Sequence, residues 1–220
     1  MALLGLAHPT FQGVLAIPIL EVACQNVEYV VGIGEFAGST PQSRRATMIR
    51  NFGIYRRLAE ALVGHALANC KILIFSHPAS IGARVVHHFA PLLPLGNITS
   101  LTRADQDMAA FFIADRIDIE LENVQNLICW GITSSIQHVD ITHGWIEPNN
   151  QAVHARIGND NWVMVELTGA IRNCGMDIRT RLLRTAYINN VATSICNHIW
   201  DWCSETPAVL QTFSFPFTPI

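Results

Sequence analysis

The sequence predicts an α/β protein built on parallel strands, and three observations carry that reading. Val27 to Ile33 (VEYVVGI) is rich in β-formers and closed by Gly34, and Lys71 to Phe75 (KILIF) is a short apolar run closed by Ser76-His77-Pro78. Short apolar runs bounded by turn residues are the signature of strands buried on both faces. Between them Met48, Phe52, Tyr55, Ala59, Leu62, Ala66 and Leu67 recur at three- and four-residue spacing, the repeat of one helix face. Strand, helix and strand in this order make a crossover that sets the two strands parallel.

The following elements extend the pattern. A helix is predicted from Pro78 to Phe89, ended by the Pro91 and Pro94 segment, and Ile98 to Leu101 gives a third strand. Ala104 to Ile117 reads as a helix and Gln125 to Trp130 (QNLICW) as a strand. The Pro148-Asn149-Asn150 turn then separates this block from a long helix between about Met176 and Trp202, with Ile178, Leu182, Ala186, Ile195 and Trp202 on a shared face. The proline-broken tail TPAVLQTFSFPFTPI suits an edge strand or an unanchored end.

Composition narrows the function classes. With 220 residues, 50% of them hydrophobic, the chain can bury a sizeable core, about 70% of the surface its unfolded form exposes. A net charge of -3 with 14% charged residues leaves no footprint for nucleic acid. The nearest basic cluster, Arg172, Arg179, Arg181 and Arg184, reads as a solvated helix face. The six cysteines form no C-x-x-C pair and are expected to be reduced and mostly buried. No Lys or Arg precedes Arg44, so the apolar start lacks a signal peptide's basic region. No apolar run reaches the ~18 residues a membrane helix needs. A cytoplasmic protein without a membrane partner is the expectation.

Gly32-Ile33-Gly34-Glu35-Phe36-Ala37 fits G-x-G-x-x-A after a strand, the pattern whose glycines let backbone approach a pyrophosphate. That pattern needs a helix opening at its second glycine, and Gly38-Ser39-Thr40-Pro41 follows instead. No acid stands about 20 residues on to meet a ribose, since that region reads NFGIYRR. A plain strand-end turn is the expectation. Metal sites fare no better: His87-His88 point apart on a helix, and His138 and His143 have no H-E-x-x-H or C-x-x-C context. Ser134 and Ser135 lack a G-x-S-x-G elbow.

Three segments, LTRADQDMA (Leu101 to Ala109), NVQNLICWGITSSIQHVD (Asn123 to Asp140) and SICNHIWDWCSETP (Ser194 to Pro207), resemble the cytosolic malate dehydrogenases of the lactate/malate dehydrogenase family. The likeness runs from about Ala23 to Pro207, without a gap between Ile33 and Asp140. It implies residues 1-103 as the remnant of a Rossmann-type nucleotide-binding domain lacking its first strands, and 104-220 as the family's α+β C-terminal domain. The parts that would hold NAD's pyrophosphate and adenine ribose precede this chain's start, so no cofactor is expected; NAD is the cofactor if the alternative, a working malate dehydrogenase, holds. Strand loss should also expose an apolar sheet edge unless LAHPTFQGVLAIPIL covers it.

Carried over residue by residue, the resemblance implies a dismantled site. The family's reaction uses a neutral histidine to take the hydroxyl proton, oriented by an aspartate. Asp105 stands at the aspartate's position, but Thr133 stands at the histidine's. Arg44 matches one substrate arginine, whereas the other two fall on Ser39 and Met108. The asparagine before a proline is His77, a cofactor-contacting glutamine is Leu58, and Asn51 keeps its cofactor-site identity. Losing the base should cost ~10²- to 10⁴-fold in rate, and each lost guanidinium roughly 1.5 to 3 kcal/mol of binding. Neither His138 nor His77 is expected to replace the base. The resemblance therefore implies a catalytically silent protein that retains a pairing surface on the helix from Ala46 to Leu67, for itself or for an intact dehydrogenase.

Overall fold

The computed structural model describes residues 11–34, 41–75, 79–131, 137–172, 184–204 and 213–214. Helix α1 (Leu20–Ala23) leads into β1 (Tyr29–Ile33), α2 (Pro41–His65), β2 (Lys71–Phe75), α3 (Ala79–Phe89), β3 (Ile98–Leu101) and α4 (Arg103–Ile117). Strands β1, β2 and β3 run parallel in that order, as the crossover predicts, with Tyr29 opposite Lys71 and Ile72 opposite Ile98. The tail supplies the expected edge strand: β9 (Phe213–Ser214) pairs antiparallel with β3.

Alternation along these strands divides the packing between two faces. Ile72, Ile74 and Ile98 join Tyr55, Leu58, Leu62, Val85 and Val86 in a core beneath α2 and α3. Leu73 and Leu101 point the other way, onto Val191 and Ile195 of α6 (Arg184–Cys203). Full burial of each such aliphatic side chain contributes about 1.5–3 kcal/mol, so the sheet is held from both sides. Gly32 explains itself here: a Cβ at that position would lie 2.8 Å from the Ile74 side chain. The absent side chain leaves room for Ile74 of the neighbouring β2.

A second core gathers Ala109 and Ile113 of α4 with the ribbons that follow it, Val153 of α5 (Val153–Ile157), and Trp162, Leu167 and Ile171. The last three lie in a helix over 160–172 with a π-helical stretch at Trp162–Leu167, whose start is capped by the Asn159 side chain accepting from the Trp162 N–H at 3.0 Å. Residues of this stretch were not anticipated as a helix.

Other expectations are corrected in detail. The single strand from Gln125 to Trp130 is two: β4 (Val124–Gln125) and β5 (Ile128–Trp130) join different sheets. The break is Asn126, whose φ of 65° ends the extended run while its amide donates to the His143 carbonyl at 2.8 Å. Pro148-Asn149-Asn150 does not divide two blocks. It is the turn between β7 (Trp145–Ile146) and β8 (Gln151–Ala152), an antiparallel pair. Among the α6 residues whose side chains are described, the buried positions are Val191, Ser194, Ile195 and His198. Ile178 and Leu182 lie outside the described residues.

Candidate active site

The chain can bring an acid to the β5 ribbon only because α4 starts directly after β3. Asp105 sits in the first turn of α4, its amide bonded to the Thr102 carbonyl at 3.1 Å, and it is 7% exposed. Across from it stands Cys129, at the centre of β5, whose thiol is pushed far up by burial and then by the carboxylates of Asp105 and Asp107. The structure thus places Asp105 close to the strand that precedes Thr133 in the sequence. Thr133 itself lies outside the described residues, as do Ser39 and His77.

The next described strand is β6 (His138–Asp140), paired antiparallel with β5 so that Trp130 faces His138 and Cys129 faces Val139. Cross-strand partners share a face and alternate residues do not. Cys129 and Val139 point into the second core, whereas His138, Trp130 and Asp140 occupy the opposite face. There the Asp140 carboxylate accepts from the Thr142 N–H at 2.9 Å and the Trp130 indole at 3.0 Å, and these bonds, with His138 adding to them, pull its pKa down to about 2. His138 is therefore a neighbour of Asp140 on the face turned away from Cys129.

The recognition residues divide similarly. Met108 is partly buried and packs on the second core, where an apolar thioether is at home. Arg44 falls in the first turn of α2. Asn51 is buried on the same helix, and Leu58 is a member of the first core. Of the glycine pattern, Gly32 lies within β1 and the Gly34 carbonyl accepts from the Tyr55 hydroxyl at 2.9 Å, while Glu35, Phe36 and Ala37 lie outside the described residues. Among the described residues no group of three His, Cys, Asp or Glu side chains could hold a metal ion. Their cysteines are unbonded, and Cys70 is pushed up to about 11 by burial and by Cys24.

One polar cluster went unread in the sequence. Arg103 donates to Asp107 at 2.8 Å and to Asp201, and Ser194 donates to the other Asp107 oxygen at 2.6 Å. Beside it His198, 1% exposed, shares a 3.1 Å hydrogen bond with the Thr99 hydroxyl, and burial followed by the Arg103 charge lowers its pKa to about 4. The i, i+4 spacing of Arg103 and Asp107 was visible. Their long-range partners on α6 had no sequence signal.

No family model matches the chain. A cytoplasmic malate dehydrogenase of Medicago sativa is 34% identical over 210 residues, covering 94% of this chain and 63% of that protein. The chain is a homologue of the cytoplasmic malate dehydrogenases. The rat cytoplasmic malate dehydrogenase aligns over the same length at 28% identity. The homologue spans about 63% of the length of the plant relatives it matches. Its fold is that of the lactate and malate dehydrogenases. A Trichomonas vaginalis lactate dehydrogenase solved with NADH and oxamate superposes at a TM-score of 0.84 and 19% identity, covering 96% of this chain and 64% of that one. Malate dehydrogenase from Naegleria fowleri gives 0.75 at 24% identity, covering 84% and 56%. No helix among the described residues is long and apolar enough to cross a membrane.

Proposed function

We propose that this malate dehydrogenase homologue carries out no turnover and acts as a cytoplasmic pseudoenzyme, a scaffold that pairs with itself or with an intact dehydrogenase. The observation that carries the reading is Thr133, where the resemblance puts the proton-accepting histidine. A threonine hydroxyl does not titrate near neutrality, so it cannot act as that base. Two structural facts support it: Met108 is engaged with an apolar core, and His138 lies on the face of the ribbon opposite Cys129 and near Asp140. Ser39 at a second arginine position adds to the same conclusion.

The pairing surface proposed is α2, where Met48, Ile49 and Phe52 are exposed in consecutive turns and Phe52 meets Phe89 edge-on at 5.8 Å. Asp105, buried beside β5, favours the second reading, an NAD-dependent enzyme interconverting malate and oxaloacetate. Oxaloacetate-dependent oxidation of NADH by the folded chain separates the two. Absence of turnover supports the scaffold reading, and saturable turnover overturns it.

A further inference from the structure

Helix α2 holds five arginines against one acid, Glu60, in a chain whose net charge is -3. On its exposed side Arg50 and Arg57 stand two turns apart along one flank, and Gly53 lies between them. A Cβ added at Gly53 would meet nothing within 4 Å, and the gap belongs to a notch of about 500 Å³ whose lining includes Arg50, Gly53, Ile54 and Arg57. Arg56 is engaged with Glu60 at 2.8 Å and lies over Phe89, whereas Arg57 makes no hydrogen bond or ion pair among the described residues. Ile49, 64% exposed, and Phe52 put apolar surface beside the notch.

A surface of opposite charge stands on the same chain. Asp118 takes a left-handed conformation, φ 55°, and ends α4, and a 3-10 turn (Leu121–Asn123) follows. Across this corner Asp115, Asp118, Glu120 and Glu122 are all exposed, and the basic residue among them, Arg116, lies over the Trp162 ring. None of the four carboxylates is in a hydrogen bond or ion pair among the described residues. Leu121, 46% exposed between Glu120 and Glu122, is an apolar knob flanked by acids, the counterpart of a notch flanked by arginines. Both surfaces are exposed, so neither covers the other within one copy.

We infer that α2 of one copy docks on the acidic turn of another, Leu121 entering the Gly53 notch while Glu120 and Glu122 meet the flanking arginines. A guanidinium and a carboxylate pair through two parallel hydrogen bonds, and the apolar centre of the contact, Ile49, Phe52 and Leu121, is taken out of water. The inference rests on the α2 pairing surface proposed above and names what that surface meets; it does not depend on catalytic silence. Two α2 faces set against each other would bring arginines to arginines, a repulsion that the acidic turn avoids. Because the joined surfaces are unlike, the contact is heterologous, and copies assemble into rings or open chains.

Sedimentation velocity of the full chain over a concentration series, at about 50 mM and about 500 mM salt, tests it with Arg57→Glu on α2 and Glu122→Arg on the turn. Both residues are exposed and in no ion pair among the described residues, so neither change disturbs a core. The wild type is expected to self-associate, more weakly at the higher salt, and each variant to weaken that association at least ~10-fold. An equimolar mixture of the two variants should recover a wild-type junction, because the first keeps its acidic turn and the second its α2. Loss in Arg57→Glu with Glu122→Arg unchanged would overturn the inference and leave α2 pairing with some other surface. A chain monomeric at every concentration would overturn it together with self-pairing on α2. Association indifferent to salt, or a mixture that fails to recover, would overturn it alone.

Discussion

Asp105 and Asp107 stand two residues apart on α4 and lead to different surroundings. Asp107 receives hydrogen bonds from Arg103 and Ser194, and the same Arg103 reaches Asp201, so α4 and α6 are tied through one polar cluster. Asp105 lies beside Cys129, on the strand that leads into the sequence WGITSS. The first acid holds the fold together. The second is, in the proposed reading, the orienting half of a proton relay whose other half is a threonine. The difference teaches that a family's architectural polar groups and its chemical ones can be separated within a single helical turn.

The comparison can be broken most forcefully at its structural side. Arg103→Met leaves Asp107 and Asp201 in a partly buried setting without their cation, and the chain should lose about 2 kcal/mol of stability in denaturant titration. Asp105→Asn keeps the side chain's shape and one acceptor oxygen, so it should cost much less. Equal losses at the two acids would erase the distinction.

Acid should act on the same clamp through His198. Its imidazole stays neutral in the fold down to about 4, while the unfolded chain takes up a proton near its ordinary value of 6.5. Below 6.5 the unfolded state therefore binds more protons, and stability falls as pH drops from about 6.5 toward 4, by about 3 kcal/mol in all. A His198→Gln variant should flatten that slope in urea titrations at a series of pH values. A slope unchanged in the variant would assign the acid sensitivity elsewhere.

The smallest effects sharpen the reading of the glycine motif. Gly32→Ala forces the Ile74 side chain to move and should destabilise by about 1 kcal/mol. Gly34→Ala meets nothing within 4 Å and should change neither stability nor any affinity for NADH. A loss of NADH binding in Gly34→Ala would revive that turn as a phosphate site.

The parallel sheet was legible because its strands announce themselves locally: KILIF and ITSL begin and end where the structure places β2 and β3. Legibility failed where side chains at long range decide the outcome. QNLICW reads as one strand until the Asn126 amide finds the His143 carbonyl and breaks it. The π-helical stretch at Trp162–Leu167 lacks a clean helical repeat, with Met164 and Val165 exposed among buried neighbours. At the candidate site the resemblance supplied residue identities, but only the ribbon pairing separates the face of Cys129 and Val139 from that of His138. The Arg103 clamp was half visible, since an i, i+4 pair can be read along a helix and its partners 98 residues away cannot.

The central claim is tested most directly by measuring oxaloacetate-dependent NADH oxidation on the full chain, with NADH titrated calorimetrically into the same folded sample. The account expects neither turnover nor saturable heat, and no turnover after Thr133→His alone, because Met108 and Ser39 still stand where the resemblance places arginines. Saturable NADH binding with turnover in the unaltered chain would contradict it and would mean that other side chains complete the relay around Asp105.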